Sequence, residues 1–162
     1  MAENLLVDKS KSKLDQYNLL IEQLGYLVDG ENDVTANHAN IIGALKQTFD
    51  FFWVGIYRVD ESSNQLVLNV YQGPIACTRI NYGSGVCGKS WELKEPILVP
   101  NVDEFPGHIA CSSASKSEVV VPIFKNGEVI GILDVDSDKL DDFDEVDESA
   151  LTQIAELLGK VA

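Results

Sequence analysis

No stretch of this sequence approaches the ~20 consecutive apolar residues that a helix needs to cross a bilayer, so a helical membrane span is set aside. Basic residues are scarce: 12 Lys and Arg stand against 26 Asp and Glu, for a net charge of −14. A surface this acidic repels phosphate backbones, so nucleic acid is not an expected partner. Cysteine is limited to Cys77, Cys87 and Cys111, an odd number with no Cys-x-x-Cys pair. A secreted disulfide framework would show an even count in a shorter chain, and a structural zinc site would show paired short spacings. The start of the chain, residues 1–13, is polar and lacks the apolar segment of a secretory signal, so the expectation is a cytoplasmic protein with its thiols in a reducing compartment. No metal is expected.

What is present is the material of one domain, expected over residues 1–162. A chain of 162 residues buries roughly two-thirds of its unfolded surface on folding and needs no disulfide or metal to do so. Apolar residues recur at helical spacing from Leu14 to Val28, and again from Asp33 or Thr35 to Phe49, with Ile41, Ile42 and Leu45 in the second stripe. The run Phe51 to Val59 reads as a strand, the cluster 60–64 as a turn, and Gln65 to Tyr71 as its hairpin partner. Residues 75–88 read mostly as loop, with a short helix from Val86 to Leu93 and a short strand at Ile97 to Val99. A second hairpin follows, Ser117–Phe124 and Val129–Val135, around Asn126-Gly127, a strong hairpin signal. Asp144 or Asp147 begins a last amphipathic helix. The expected fold is α+β: a central antiparallel sheet with helices packed on one face and long loops covering a pocket on the other.

Three segments carry a resemblance: Phe51-Phe52-Trp53-Val54-Gly55-Ile56-Tyr57, Val119-Val120-Val121-Pro122-Ile123, and Val129 to Asp136. Together they resemble a GAF domain. A narrower set consists of Gly83-Ser84-Gly85-Val86-Cys87-Gly88, Pro106 to Ser115 around Cys111, Ser117 to Pro122, and Leu133-Asp134-Val135-Asp136-Ser137. These are similar to the free methionine-(R)-sulfoxide reductases, and the likeness runs from about Leu14 to Leu158. The resemblance implies that Cys111 attacks the sulfoxide and that Cys87 or Cys77 resolves the intermediate as a disulfide. It also implies that Glu118, Asp134 and Asp136 line the substrate pocket and that thioredoxin recharges the enzyme without any bound cofactor. A homodimer is compatible with all of this.

The residues make chemical sense of that reading. Reduction of a sulfoxide by a thiol leaves a sulfenic acid, which condenses with a second thiol. It also needs an acid near the sulfoxide oxygen. Asp134 and Asp136 lie two apart on one strand and so share a face, with Glu118 opening the neighbouring strand. Converging carboxyls raise one another's pKa, and a protonated one can donate to the oxygen. The same acids suit the ammonium of a free amino acid, and backbone N–H groups between Gly83 and Gly88 suit its carboxylate. Trp53, Tyr57 or Trp91 can wall the S-methyl group, and His108 can help to ionise the thiol. The alternative is a GAF module that senses a small molecule or oxidant without turnover; a sensor has no need of the acid cluster.

Overall fold

A computed structural model describes residues 4–162; residues 1–3 of the polar N-terminal segment lie outside the described residues. Helices α1 (Lys13–Leu27) and α2 (Val34–Phe49) come first, followed by strands β1 (Trp53–Asp60), β2 (Gln65–Gln72) and β3 (Arg79–Asn81). Helix α3 (Gly85–Leu93), β4 (Ile97–Val99) and a 3-10 turn at Val102–Glu104 lead into β5 (Ser117–Lys125), β6 (Glu128–Ser137) and α4 (Glu145–Lys160). The six strands form one sheet in the order β3-β2-β1-β6-β5-β4, with every paired neighbour antiparallel.

Side-chain alternation divides the sheet into two faces. Val54, Ile56, Val119, Val121, Leu133 and Val135 point to the face covered by α1, α2 and α4, where they join Tyr17, Leu20, Leu45 and Leu151 in the larger core. Trp53, Tyr57, Val120 and Ile132 point the other way, into a second core that includes α3 residues Val86, Cys87 and Trp91. Helices therefore dominate one face, as expected, but α3 lies on the pocket face among the loops. The stretch 75–88, read as loop from its glycines, also contains the three-residue edge strand β3. Three residues are too few for periodicity to register.

Helix starts follow the side chains available. Ser12 caps α1 by accepting from the Asp15 N–H, and Asp33 caps α2 by accepting from the Ala36 N–H. Asp144 and Asp147 form a reciprocal capping box at the start of α4.

Asp147 is set apart from the other acids of this stretch. Asp138, Asp141, Asp142 and Asp144 are exposed, but Asp147 is buried. It accepts from the Tyr17 hydroxyl at 2.6 Å and from Lys13 Nζ at 2.7 Å, tying α4 to α1. Asp147→Ala strands a buried phenol and removes half the cap. We expect it to cost about 2–3 kcal/mol, a Tm lower by roughly 5–10 °C in calorimetry. An unchanged Tm would refute the role given to this contact.

Candidate active site

The acids converge because of strand register. Glu118 on β5 pairs with Asp136 on β6, while Val120 pairs with Asp134. On the other side of β6, Asp136 pairs with Trp53 and Asp134 with Gly55 of β1. Cross-strand partners project to the same face, so Glu118, Asp134, Asp136, Trp53 and Tyr57 all point at α3 and the loops. Glu118 and Asp134 are 5% and 6% exposed, and no positively charged group balances them among the described residues.

The electrostatic consequence is direct. Burial, aided by the neighbouring charges of Asp134 and Asp136, pushes Glu118 well above the ordinary carboxylate range. Burial likewise lifts Asp136, with Asp134 adding repulsion, and Asp134 is pushed up to about 6. Asp134 Oδ1 is buried with no hydrogen-bond partner. A cluster of this kind favours a proton on at least one member at neutral pH and attracts any cation that reaches it.

Gly55 shapes the aromatic wall. A Cβ there would lie 2.6 Å from Trp53 Cη2 and 2.5 Å from Tyr71 Cβ, so only glycine lets the indole lie across the sheet. Trp53 stacks on Tyr71 with centroids 5.3 Å apart and a 15° interplanar angle, and faces Tyr57 at 6.0 Å. Both β1 aromatics also hold the loop that carries Cys77. Trp53 Nε1 donates to the Pro74 carbonyl at 3.0 Å, and the Tyr57 hydroxyl donates to the Cys77 carbonyl at 2.9 Å. Trp91 does not join this wall. It lies in the second core, edge-to-face with Tyr82 at 4.7 Å, because α3 turns it away from the cavity.

The three cysteines separate into two environments. Cys77 and Cys111 are joined in a disulfide with Cα atoms 5.2 Å apart, 34 residues distant in sequence. Both are half-buried, in the loops above the acids. Cys87 is a free thiol, 4% exposed on α3, with Sγ 3.9 Å from Glu118 Oε1. Burial, and then the charges of Asp134 and Glu118, push its pKa well up. A thiol held neutral is a poor nucleophile.

His108 lies between these environments, with Nε2 3.8 Å from Glu118 Oε2. Burial lowers its pKa and raises that of Glu118, so both shifts work against an ion pair between them. The lowered imidazole pKa works against the positive charge by which His108 was expected to help ionise the thiol. His38, on α2, is buried with Nε2 3.1 Å from the Leu158 carbonyl oxygen, a packing role.

Glu118, Asp134, Asp136, Trp53, Tyr57, Cys87, His108 and Cys111 line one solvent-open cavity, together with Ser84, Gly85, Val86, Ile109 and Ser115. The Ser84 side chain makes no capping bond to α3, so the N–H groups of the first turn remain available to an anion. Gly88 permits that turn to pack: a Cβ would stand 2.6 Å from the Asn81 carbonyl oxygen. Sequence reasoning pointed to a glycine-bearing loop and missed the open helix start, because a side chain's failure to cap leaves no sequence signal.

Comparison with known proteins agrees with the geometry. The GAF domain family matches residues 38–161. GAF domain-containing protein A of Dictyostelium discoideum is 58% identical over 98% of this chain and 99% of its own length. The free methionine-R-sulfoxide reductase of Saccharomyces cerevisiae is 38% identical, over 83% of this chain and 78% of its own. The X-ray structure of free methionine-R-sulfoxide reductase from Neisseria meningitidis in complex with its substrate superposes with a TM-score of 0.95 at 46% identity, covering 98% of this chain and 94% of that one. With a fold and relatives of this kind, the chain belongs to the free methionine-R-sulfoxide reductases built on the GAF domain.

Proposed function

We propose that this protein reduces free L-methionine-(R)-sulfoxide to L-methionine, with Cys111 as nucleophile and Cys77 as resolving thiol. The observation that carries the reading is one cavity lined by Glu118, Asp134, Asp136 and Cys111, with Cys77 bonded to Cys111. The ammonium of the substrate sits among the carboxyls, its carboxylate at the start of α3, and its S-methyl group against Trp53 and Tyr57.

The Cys111 thiolate attacks the sulfoxide sulfur while a protonated carboxyl of the cluster donates to the oxygen. Oxygen passes to Cys111, methionine leaves, and the sulfoxide is reduced as the thiol becomes a sulfenic acid. The Cys77 thiol then displaces that oxygen as water and closes the disulfide. Thioredoxin, a dithiol, attacks the disulfide and leaves oxidised, returning both cysteines to the reduced state. This cycle belongs in the cytoplasm, where reduced thioredoxin is maintained. Cys87 has no part in it: its thiol is held neutral and faces the acids. A peptide-bound sulfoxide lacks the free ammonium and is rejected for that reason.

Purified protein with thioredoxin, thioredoxin reductase and NADPH tests the proposal. Free L-methionine-(R)-sulfoxide is expected to drive NADPH consumption, and the (S) epimer and a peptide-bound sulfoxide are not. No turnover of any form, with folded protein and working coupling enzymes, would move the reading to a sensor. A second expectation concerns Tyr57→Phe, which keeps the aromatic wall and removes only the hydroxyl bonded to the Cys77 carbonyl. Loss of that bond, worth about 1 kcal/mol, loosens the Cys77 loop and slows steady-state recycling roughly fivefold. The burst of methionine in the first turnover is preserved. A burst slowed as much as recycling would place the hydroxyl on the substrate instead.

A further inference from the structure

Cys87 is the nucleophilic group that the cycle above leaves unused, and its surroundings are unusual for a spare thiol. Sγ of Cys87 and carboxylate oxygens of Glu118 and Asp134 all lie within 4.8 Å of one another, and all three residues are buried. They come from α3, β5 and β6, which is why no sequence spacing announces them. Asp134 Oδ1 is buried without any partner and lines the cavity. His108 Nε2 stands 3.8 Å from the other oxygen of Glu118. A tetrahedral metal with bonds of 2.0–2.3 Å holds its ligand atoms roughly 3.5 Å apart. The 3.9 Å between Cys87 Sγ and Glu118 Oε1 is already close to that spacing.

We propose that Cys87, Glu118 and Asp134 form a three-ligand site for a borderline-soft divalent cation, Zn²⁺ by the chemistry of its donors, with the His108 imidazole beside Glu118 rather than within the ligand set. One sulfur and two carboxylates are donor types zinc takes, and three protein ligands leave a fourth position open. A thiolate among them disfavours Mg²⁺ and Ca²⁺, which take oxygen. Binding releases the thiol proton and the proton held by the carboxyls to solvent. In exchange, it neutralises buried negative charge that has no cationic partner among the described residues. Zinc in this position covers the carboxyls assigned above to the substrate ammonium, so metal and sulfoxide exclude one another. That exclusion rests on the substrate reading; the metal site itself does not.

The test uses the full chain with the Cys77–Cys111 disulfide formed, a state without turnover in which Cys87 is the single thiol. Success or failure here is therefore separate from that of the reductase reading. Zn²⁺ is titrated by calorimetry, and Co²⁺ is used as a spectroscopic probe. The expected result is one ion per chain and a sulfur-to-cobalt charge-transfer band, which in this state can come only from Cys87. Cys87→Ser is expected to abolish the band and weaken Zn²⁺ by at least about tenfold, and Asp134→Asn to weaken it similarly with the band retained. The band in the unmodified protein needs no variant to fold. Absence of one-to-one binding, absence of the band, or unchanged Zn²⁺ affinity in a folded Cys87→Ser protein each overturns the proposal.

Discussion

Cys111→Ser is expected to lower turnover of free methionine sulfoxide by at least ~10⁴-fold. A serine hydroxyl neither ionises at neutral pH nor accepts the sulfoxide oxygen in a reversible state. Under reducing conditions stability should stay within about 0.5 kcal/mol of the parent, because the side chain is half-buried in a polar loop. The oxidised state separates the proteins a second way. The disulfide closes a loop of 34 residues, for which the chain-entropy account gives about 4 kcal/mol. The parent should therefore melt roughly 10 °C higher oxidised than reduced, and the variant should show no such difference. Methionine release by Cys111→Ser above the uncatalysed rate would remove Cys111 from the mechanism. An oxidation-insensitive Tm in the parent would remove the Cys77 pairing.

Asp134→Asn should make the protein more stable and less active. Asp134 is raised from 3.8 to about 6 by burial. The folded state thus holds the proton more tightly than the unfolded chain, and the sign follows from that difference. Stability attributable to this group is greatest below the unfolded pKa and falls as pH rises between the two values. Above the folded pKa the cost is complete. Two units at 1.36 kcal/mol each make that cost about 3 kcal/mol, and an asparagine does not incur it. Part of the gain is offset by an amide that must find partners in the same buried position. The expected net result is a Tm raised by about 5 °C near pH ~7.5, with the advantage gone near pH ~4. Loss of a charged contact to the ammonium should lower kcat/KM by roughly ten- to a hundredfold. Calorimetry at the two pH values in one redox state, beside the coupled assay, checks both. A lower Tm at neutral pH would mean that Asp134 is not electrostatically strained.

The pairing of those two effects has a functional meaning. A pocket that concentrates uncompensated carboxyls stores unfavourable energy in the free protein and releases it to a cationic ligand. Stability given up at a binding site in this way is a common trade.

Much of the architecture was legible from residue patterns because its causes are local. Helical spacing placed α1, α2 and α4 to within a residue or two, and Ser12, Asp33 and Asp144 supply caps where the patterns begin. Asn126-Gly127 announced the β5–β6 turn, where both residues take positive φ. The two-residue period placed Asp134 and Asp136 on one face, and the hairpin implied by that turn brought Glu118 beside them. β3 was not legible, being too short for a period. Nor was the burial of Asp147, whose partners Tyr17 and Lys13 lie more than a hundred residues away.

The sequence by itself thus determined the longer elements, the faces of the strands and the acid cluster, since hydrophobic period, caps and turn chemistry act over a few residues. It also narrowed the chemistry to three thiols. Only the tertiary structure decided which thiol meets Cys111. Cys87 is nearer to it in sequence, yet α3 turns Cys87 inward against Glu118, while Trp53 and Tyr57 hold the Cys77 loop over the same cavity. Proximity between loops is set by what their anchors pack against, and those anchors lie on strands that no local pattern joins to the cysteines.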